Sequence, residues 1–239
     1  MITRNESTQK SGQAAPTFQY QVEYVGQDRQ PVLIIDNAFQ QAEKLVDYCV
    51  ANLAFHQADS FYPGIRMPGP ANYDKFLARQ LGVLMHQVFG TPIEKIRGAR
   101  SVYSMVVTPP EALALTQRVP HSDSLSEQNL ACVHYLCESR QGGTSLYRHR
   151  STGYENINEQ RYETYQAALT ADMKRYGTPA GYINGSTEIF ERTASYEARF
   201  NRLVMYRGFN LHSGNIAPDF AFDANPRSGR LTLNTFYFF

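Results

Sequence analysis

Pro120-His121-Ser122-Asp123, read together with Asn210-Leu211-His212 and Gly229-Arg230-Leu231, decides how the rest of the chain is understood. On extended backbone successive side chains alternate, so His121 and Asp123, two apart, point to the same side. A third ligand from a distant histidine, His212, completes a set of two imidazoles and one carboxylate. Such a set covers one triangular face of an octahedral metal and leaves three positions open. An isolated H-x-D pair is a weak signal in 239 residues. Its weight comes from the ordered blocks around it.

Downstream of that pair, Ala131–Cys137, Gly143–Tyr147, Glu188–Thr193, Leu203–Tyr206 and Arg230–Phe238 read as strands, being rich in β-branched, aromatic and alternating apolar residues. Upstream, Ser101–Val107 alternates and is stopped by Pro109-Pro110. Gln19–Val25 and Pro31–Ile35 are further strands. Asp36 or Asn37 is placed to cap a helix from Ala38 to Leu53, with Phe39, Ala42, Leu45, Val46 and Cys49 on one stripe. The stretch 61–70, punctuated by Pro63, Gly64, Pro68, Gly69 and Pro70, reads as an irregular loop. Tyr73 to Phe89 is a second amphipathic helix, ended by Gly90. His56 and His86 are read as surface or packing histidines. A third helix, 155–176, carries Tyr162, Tyr165, Leu169 and Met173 at helical spacing.

Many short strands with glycine turns favour a β-sandwich or jelly roll over a parallel α/β sheet. The expected organisation is a mobile tail over 1–17 and one domain over 18–239, with 18–98 as an α/β flank and 155–176 as an inserted helix. In the last strand Arg230, Thr232 and Asn234 share one side, and Leu231, Leu233 and Tyr237 the other. Taken alone, the polar side is expected to meet solvent; the alternative is that it lines a polar cavity.

Composition sets the outer limits. With 23 basic and 22 acidic residues, the chain has no electrostatic reason to take nucleic acid as its partner. Its polar first residues and the lack of any long apolar run lead to the expectation of no secretory leader and no membrane span. Cys132 and Cys137, an odd number of positions apart, would face opposite sides of one strand. With Cys49 they are expected to be reduced thiols of a cytoplasmic protein.

Taken together, the blocks resemble the Fe(II)- and 2-oxoglutarate-dependent oxygenase superfamily. The order is His121-x-Asp123, Val133-His134-Tyr135-Leu136, Gly142-Gly143-Thr144, Arg202–Tyr206 ahead of His212, then Arg230 opening the last strand. Its prolyl-hydroxylase-like branch has a similar Y-L pair, Gly-Gly pair and final Arg. A bacterial group with similar FYPG, HYLC and GGTSLYRHR segments is closer still, and implies a fold and a reaction class without a substrate. The resemblance implies a double-stranded β-helix (jelly roll) core, mainly β, supported by N-terminal helices. It implies Fe(II) on His121, Asp123 and His212, with 2-oxoglutarate and O2 as co-substrates. Arg230 would bind the far carboxylate of 2-oxoglutarate, Tyr135 would donate to it, and Asn234 is a weaker candidate. Arg118 and Arg148 are candidates to meet a small-molecule or peptide substrate. Retention of Asp123 implies hydroxylation rather than halogenation. Arg230 lies eighteen positions after His212, longer than the family interval, so Arg227 competes with Arg230. The 155–176 helix, a second insertion, is a candidate lid. A cupin-like protein that holds metal or a small ligand without turnover is the alternative. Oligomeric state is not legible.

Overall fold

The computed structural model describes residues 18–58 and 62–239; the tail expected over 1–17 lies outside them. The strands are β1 (Gln19–Val25), β2 (Gln30–Asp36), β3 (His56–Gln57), β4 (Gly64–Pro68), β5 (Gly98–Val106), β6 (Leu130–Tyr135), β7 (Gly143–His149), β8 (Phe190–Glu197), β9 (Arg202–Arg207), β10 (His212–Asn215) and β11 (Leu231–Phe238). The helices are α1 (Ala42–Ala51), α2 (Tyr73–Phe89) and α3 (Glu159–Tyr176). Eight strands form one sheet in the order β1-β2-β9-β6-β11-β5-β4-β3, and β10-β7-β8 form a second. All of these pairings are antiparallel.

Strand alternation sorts the core into layers. Leu33 and Ile35 of β2 and Leu203 and Met205 of β9 join one cluster with Leu45 and Cys49 of α1 and Leu77, Leu81 and Met85 of α2. Their neighbours Val32, Ile34, Val204 and Tyr206 face the other way and meet Leu146 and Tyr196 of the small sheet. The helices therefore cover the outer face of the large sheet, and the small sheet closes over its inner face. Each fully buried Leu or Ile contributes roughly 1.5–3 kcal/mol to holding these layers together. A third cluster, with Tyr147, Phe190, Tyr165 and Leu169, packs α3 on the far side of the small sheet. This is the double-stranded β-helix with flanking helices.

Four local expectations need correction. Helix α1 begins at Ala42, four residues later than expected, and neither candidate caps it. Asp36 instead pairs with Arg202 (Nε to Oδ1 2.6 Å, and a second nitrogen to Oδ2 2.8 Å), while Asn37 is left-handed with φ 53°. The chain there is held by Asn201, whose side-chain oxygen accepts from Phe39 N–H at 2.9 Å. Second, Gly64–Pro68 is a strand, not a loop. Gly64 approaches β5 so closely that a Cβ would sit 2.0 Å from Met105 O, and Pro68 falls at the strand end, where a missing N–H costs little. Third, α3 starts at Glu159, capped by the Asn158 side chain accepting from Arg161 N–H at 3.0 Å. Glu155 lies before it, buried, and accepts from Gln27 and Asp28 N–H at 3.0 Å each. Finally, the polar side of β11 is buried. Thr232 and Asn234 are 1% and 8% exposed and face the space between the sheets.

Candidate metal centre

The segment carrying His121 and Asp123 is not a regular strand. It follows short 3-10 turns at Pro110–Ala112 and Leu115–Gln117 and is then stitched to the sequence around β10. His121 N–H donates to His212 O, and His212 N–H to His121 O, both at 2.9 Å. Asp123 N–H donates to Gly208 O at 2.7 Å. This reciprocal bridge places residues 91 apart in sequence side by side, with ring centroids 4.4 Å apart. Nε2 of His121 lies 3.7 Å from Oδ1 of Asp123, and Nε2 of His212 lies 3.3 Å from Oδ2. One donor atom from each residue falls within 4.8 Å of the others.

The hydrogen bonds choose the tautomer of His212. Its Nδ1 lies 2.9 Å from Asn210 O, and a carbonyl can only accept, so Nδ1 carries the hydrogen. That leaves the Nε2 lone pair for a metal, the orientation that backbone contacts impose on ligand histidines. Charge follows the same design. Burial, then the neighbouring His212, lowers the His121 pKa to about 4. Burial opposes ionisation of Asp123 too, but His212, His121 and Arg66 together hold its carboxyl below the usual range. For His212, burial pulls down, and the Asp123 carboxylate more than offsets it. The result is one carboxylate between two imidazoles, a donor set suited to a divalent borderline cation.

These three residues open into a cavity of ≈ 80 Å³ whose walls include Arg66, Thr144, Tyr206, Arg230 and Asn234. Arg230 is 4% exposed. One terminal nitrogen donates to Gly143 O at 2.8 Å, its guanidinium carbon lies 5.9 Å from the Tyr135 ring centre, and its Nε has no partner. No carboxylate of the described residues pairs with it. A buried cation whose neighbours are the Tyr62 and Tyr135 phenols rather than a carboxylate is expensive. Asn234 gives Ser104 Oγ one N–H at 3.3 Å, and its Oδ1 is also unpartnered.

Other expected positions lie elsewhere. The Tyr135 hydroxyl is 2.6 Å from Thr144 Oγ1; Thr144 lines the cavity and Tyr135 supports it from behind. Arg118 donates to the carbonyls of Leu113 and Pro179, and Arg148 to Glu155 and Glu191. Both are spent on structure, and neither lines the cavity. Arg227 is exposed and reaches Asp47 at 2.8 Å, which leaves Arg230, immediately before the last strand, as the guanidinium of that segment in the cavity. Arg66 and Tyr206 were missed. Arg66 sits on β4, the strand hidden by its prolines and glycines, with its guanidinium carbon 4.4 Å from the Tyr62 ring centre. The Tyr206 ring lies tilted against His212, centroids 4.8 Å apart, and was legible only as one more apolar strand residue.

A family model described as "Family of unknown function (DUF6445)" matches residues 16–237. The chain belongs to the DUF6445 family. No curated protein matches this DUF6445 chain in sequence. Among solved structures it is similar to SnoK, a non-haem α-ketoglutarate-dependent carbocyclase from nogalamycin biosynthesis. The two share 14% identity over 87% of this chain and 79% of that one, with a TM-score of 0.51. It is similar also to HygX from Streptomyces hygroscopicus, solved with nickel and 2-oxoglutarate bound, at 11% identity over 88% and 83% with a TM-score of 0.51. At such identities the likeness establishes the double-stranded β-helix fold of this DUF6445 protein. No helix of the described residues is long and apolar enough to cross a membrane.

Proposed function

We propose that the chain is an Fe(II)- and 2-oxoglutarate-dependent oxygenase of the prolyl-hydroxylase-like branch, hydroxylating an amino acid, a peptide side chain or a small metabolite. The observation that carries this reading is the pairing, within one cavity, of the His121-Asp123-His212 set with the buried Arg230, whose Nε lacks a partner. The fold shared with SnoK and HygX supports it, since both are described with 2-oxoglutarate or its synonym. A cupin-like binding protein would have no use for an uncompensated guanidinium facing the metal ligands. The three cysteines, buried and unbridged, fit a reducing cytoplasm.

His121, Asp123 and His212 would hold iron. With iron and 2-oxoglutarate bound, the site supplies the oxidation of a substrate C–H to C–OH by O2, balanced by conversion of 2-oxoglutarate to succinate and CO2. The protein's own work is placement. Arg230 would receive the distal carboxylate in a charge-assisted fork, with Nε and a terminal nitrogen as donors. Thr144, held by Tyr135, stands beside it. The Asn210 carbonyl orients the His212 ring, and the Gly208 carbonyl holds the Asp123 backbone. Anaerobic protein given Fe(II) and then 2-oxoglutarate should develop the weak visible charge-transfer band of a chelated 2-oxo acid. Absence of the band from iron-loaded protein refutes the co-substrate assignment.

A further inference from the structure

His121 and Asp123 have two sides. One faces the inner cavity; the other forms part of a separate groove of ≈ 590 Å³ that runs between the 115–125 segment and helix α3. That volume lies within the range of small-molecule sites. Its walls are mainly apolar, with Val119, Leu125, Leu169 and Met173 along the length and Leu115 and Tyr162 at the rim. Leu115 and Tyr162 are 46% and 42% exposed, a cost in water that an apolar occupant would relieve.

Helix α3 is a fixed wall here rather than a loose cover. Tyr165 and Leu169 are buried in the third core cluster. Asp172 lies 3.1 Å from Nε2 of the wholly buried His149 on β7, and Ser151 donates to the same carboxylate at 2.5 Å. At the other end, the Asn158 cap also donates to Glu127 at 2.8 Å. The helix residues facing the groove extend from Tyr162 to Lys174, about 18 Å at 1.5 Å per residue. Among the groove's wall residues Lys174 is the one lysine or arginine, and Asp123 the one carboxylate.

We infer that this groove is the prime-substrate site and that it takes an elongated, apolar small molecule with one anionic end. The anion sits by Lys174, and the apolar body lies along Leu169 towards the exposed flank of His121 and Asp123. The inference rests on the oxygenase reading for the word substrate, but binding itself requires neither iron nor 2-oxoglutarate. A long groove with a single cation, Lys174, at one end favours an anionic terminus there over a cationic one.

The test is calorimetric titration of metal-free protein with decanoate, decanol and decylamine, below their aggregation concentrations. Decanoate should bind at one site and at least tenfold more tightly than decylamine. Lys174→Glu should reverse that order. Thr170→Trp, an exposed position on the groove wall, should weaken decanoate at least tenfold, with helix content unchanged by circular dichroism. Equal binding of the three probes, no decanoate binding, or an unaltered preference in Lys174→Glu overturns the inference. Because no iron chemistry enters this titration, decanoate binding here together with no succinate from separate Fe(II)-loaded protein given 2-oxoglutarate, O2 and decanoate would refute the oxygenase reading and leave the groove as a ligand site.

Discussion

Replacing Arg230 by Met should make the ligand-free protein more stable and the 2-oxoglutarate complex much weaker. The guanidinium is 4% exposed, donates one hydrogen bond to Gly143 O and leaves Nε unpartnered. Burying such a charge without a counter-ion costs several kcal/mol even after relaxation, and methionine fills similar space without it. The thermal midpoint of the apo variant should therefore rise. Binding moves the other way. A carboxylate at Arg230 gains charge-assisted hydrogen bonds, and losing one costs about 2–3 kcal/mol. That corresponds to a dissociation constant roughly 30- to 150-fold higher. For wild type, 2-oxoglutarate at about 100 times its dissociation constant should add about 2.7 kcal/mol of stability; the variant should gain less than about 1 kcal/mol at the same concentration. Thermal melts and anaerobic titration with Fe(II) present read both effects. An Arg230→Met protein that melts lower than wild type, yet binds 2-oxoglutarate within threefold of it, would refute the reasoning that this charge is held in reserve for an anion.

Other outcomes follow from the same geometry. Arg227→Ala should change 2-oxoglutarate affinity by less than twofold by the same titration, because Arg227 and Asp47 form an exposed pair. His121→Ala, Asp123→Ala and His212→Ala should each lose most bound Fe(II) by metal analysis after desalting; full retention in the His212 variant would identify another third ligand. His134 is wholly buried against Tyr73 and Asn201, and burial lowers its pKa from 6.5 to about 4. The unfolded chain thus binds a proton there below pH 6.5 that the native state refuses, so stability falls as pH drops from 6.5 towards 4. The contribution is on the order of 3 kcal/mol, and urea melts of His134→Gln should show a shallower loss over that window. Asn158→Ala should cost about 1 kcal/mol through the lost helix cap, seen as a lower denaturation midpoint.

Much of this protein was legible because local periodicity and tertiary packing agree. Helix α2 runs from Tyr73 to Phe89 with Gly90 in the left-handed conformation after it, as the apolar spacing and the glycine require. The alternation in β2 and β9 sorts outer from inner core directly. Legibility failed where long-range contacts override local chemistry. Asp36 is a good capping residue by type, but Arg202, 166 positions away, takes its carboxylate. Gly64–Pro68 has the composition of a loop, and pairing with β5 makes it a strand. His212-Ser213-Gly214-Asn215 contains no strand former, and becomes β10 through its register with β7. The meeting of His121, Asp123 and His212 could be read from the H-x-D spacing and the ordered blocks. The non-local rest, including Thr144 in front of Tyr135 and Arg66 across the cavity, required the fold. Arg148 and Arg118 show the reverse error: a cation near a motif looks available until its carboxylate or carbonyl partners are placed.

The central claim is tested most directly by following 2-oxoglutarate itself. Protein loaded with Fe(II), given 2-oxoglutarate and exposed to O2, should release succinate above a metal-free control, with one CO2 per succinate, and the Asp123→Ala variant should lose that release. Iron-loaded, folded protein that forms no succinate, even when offered amino acids, peptides and decanoate as prime substrates, would contradict the oxygenase account.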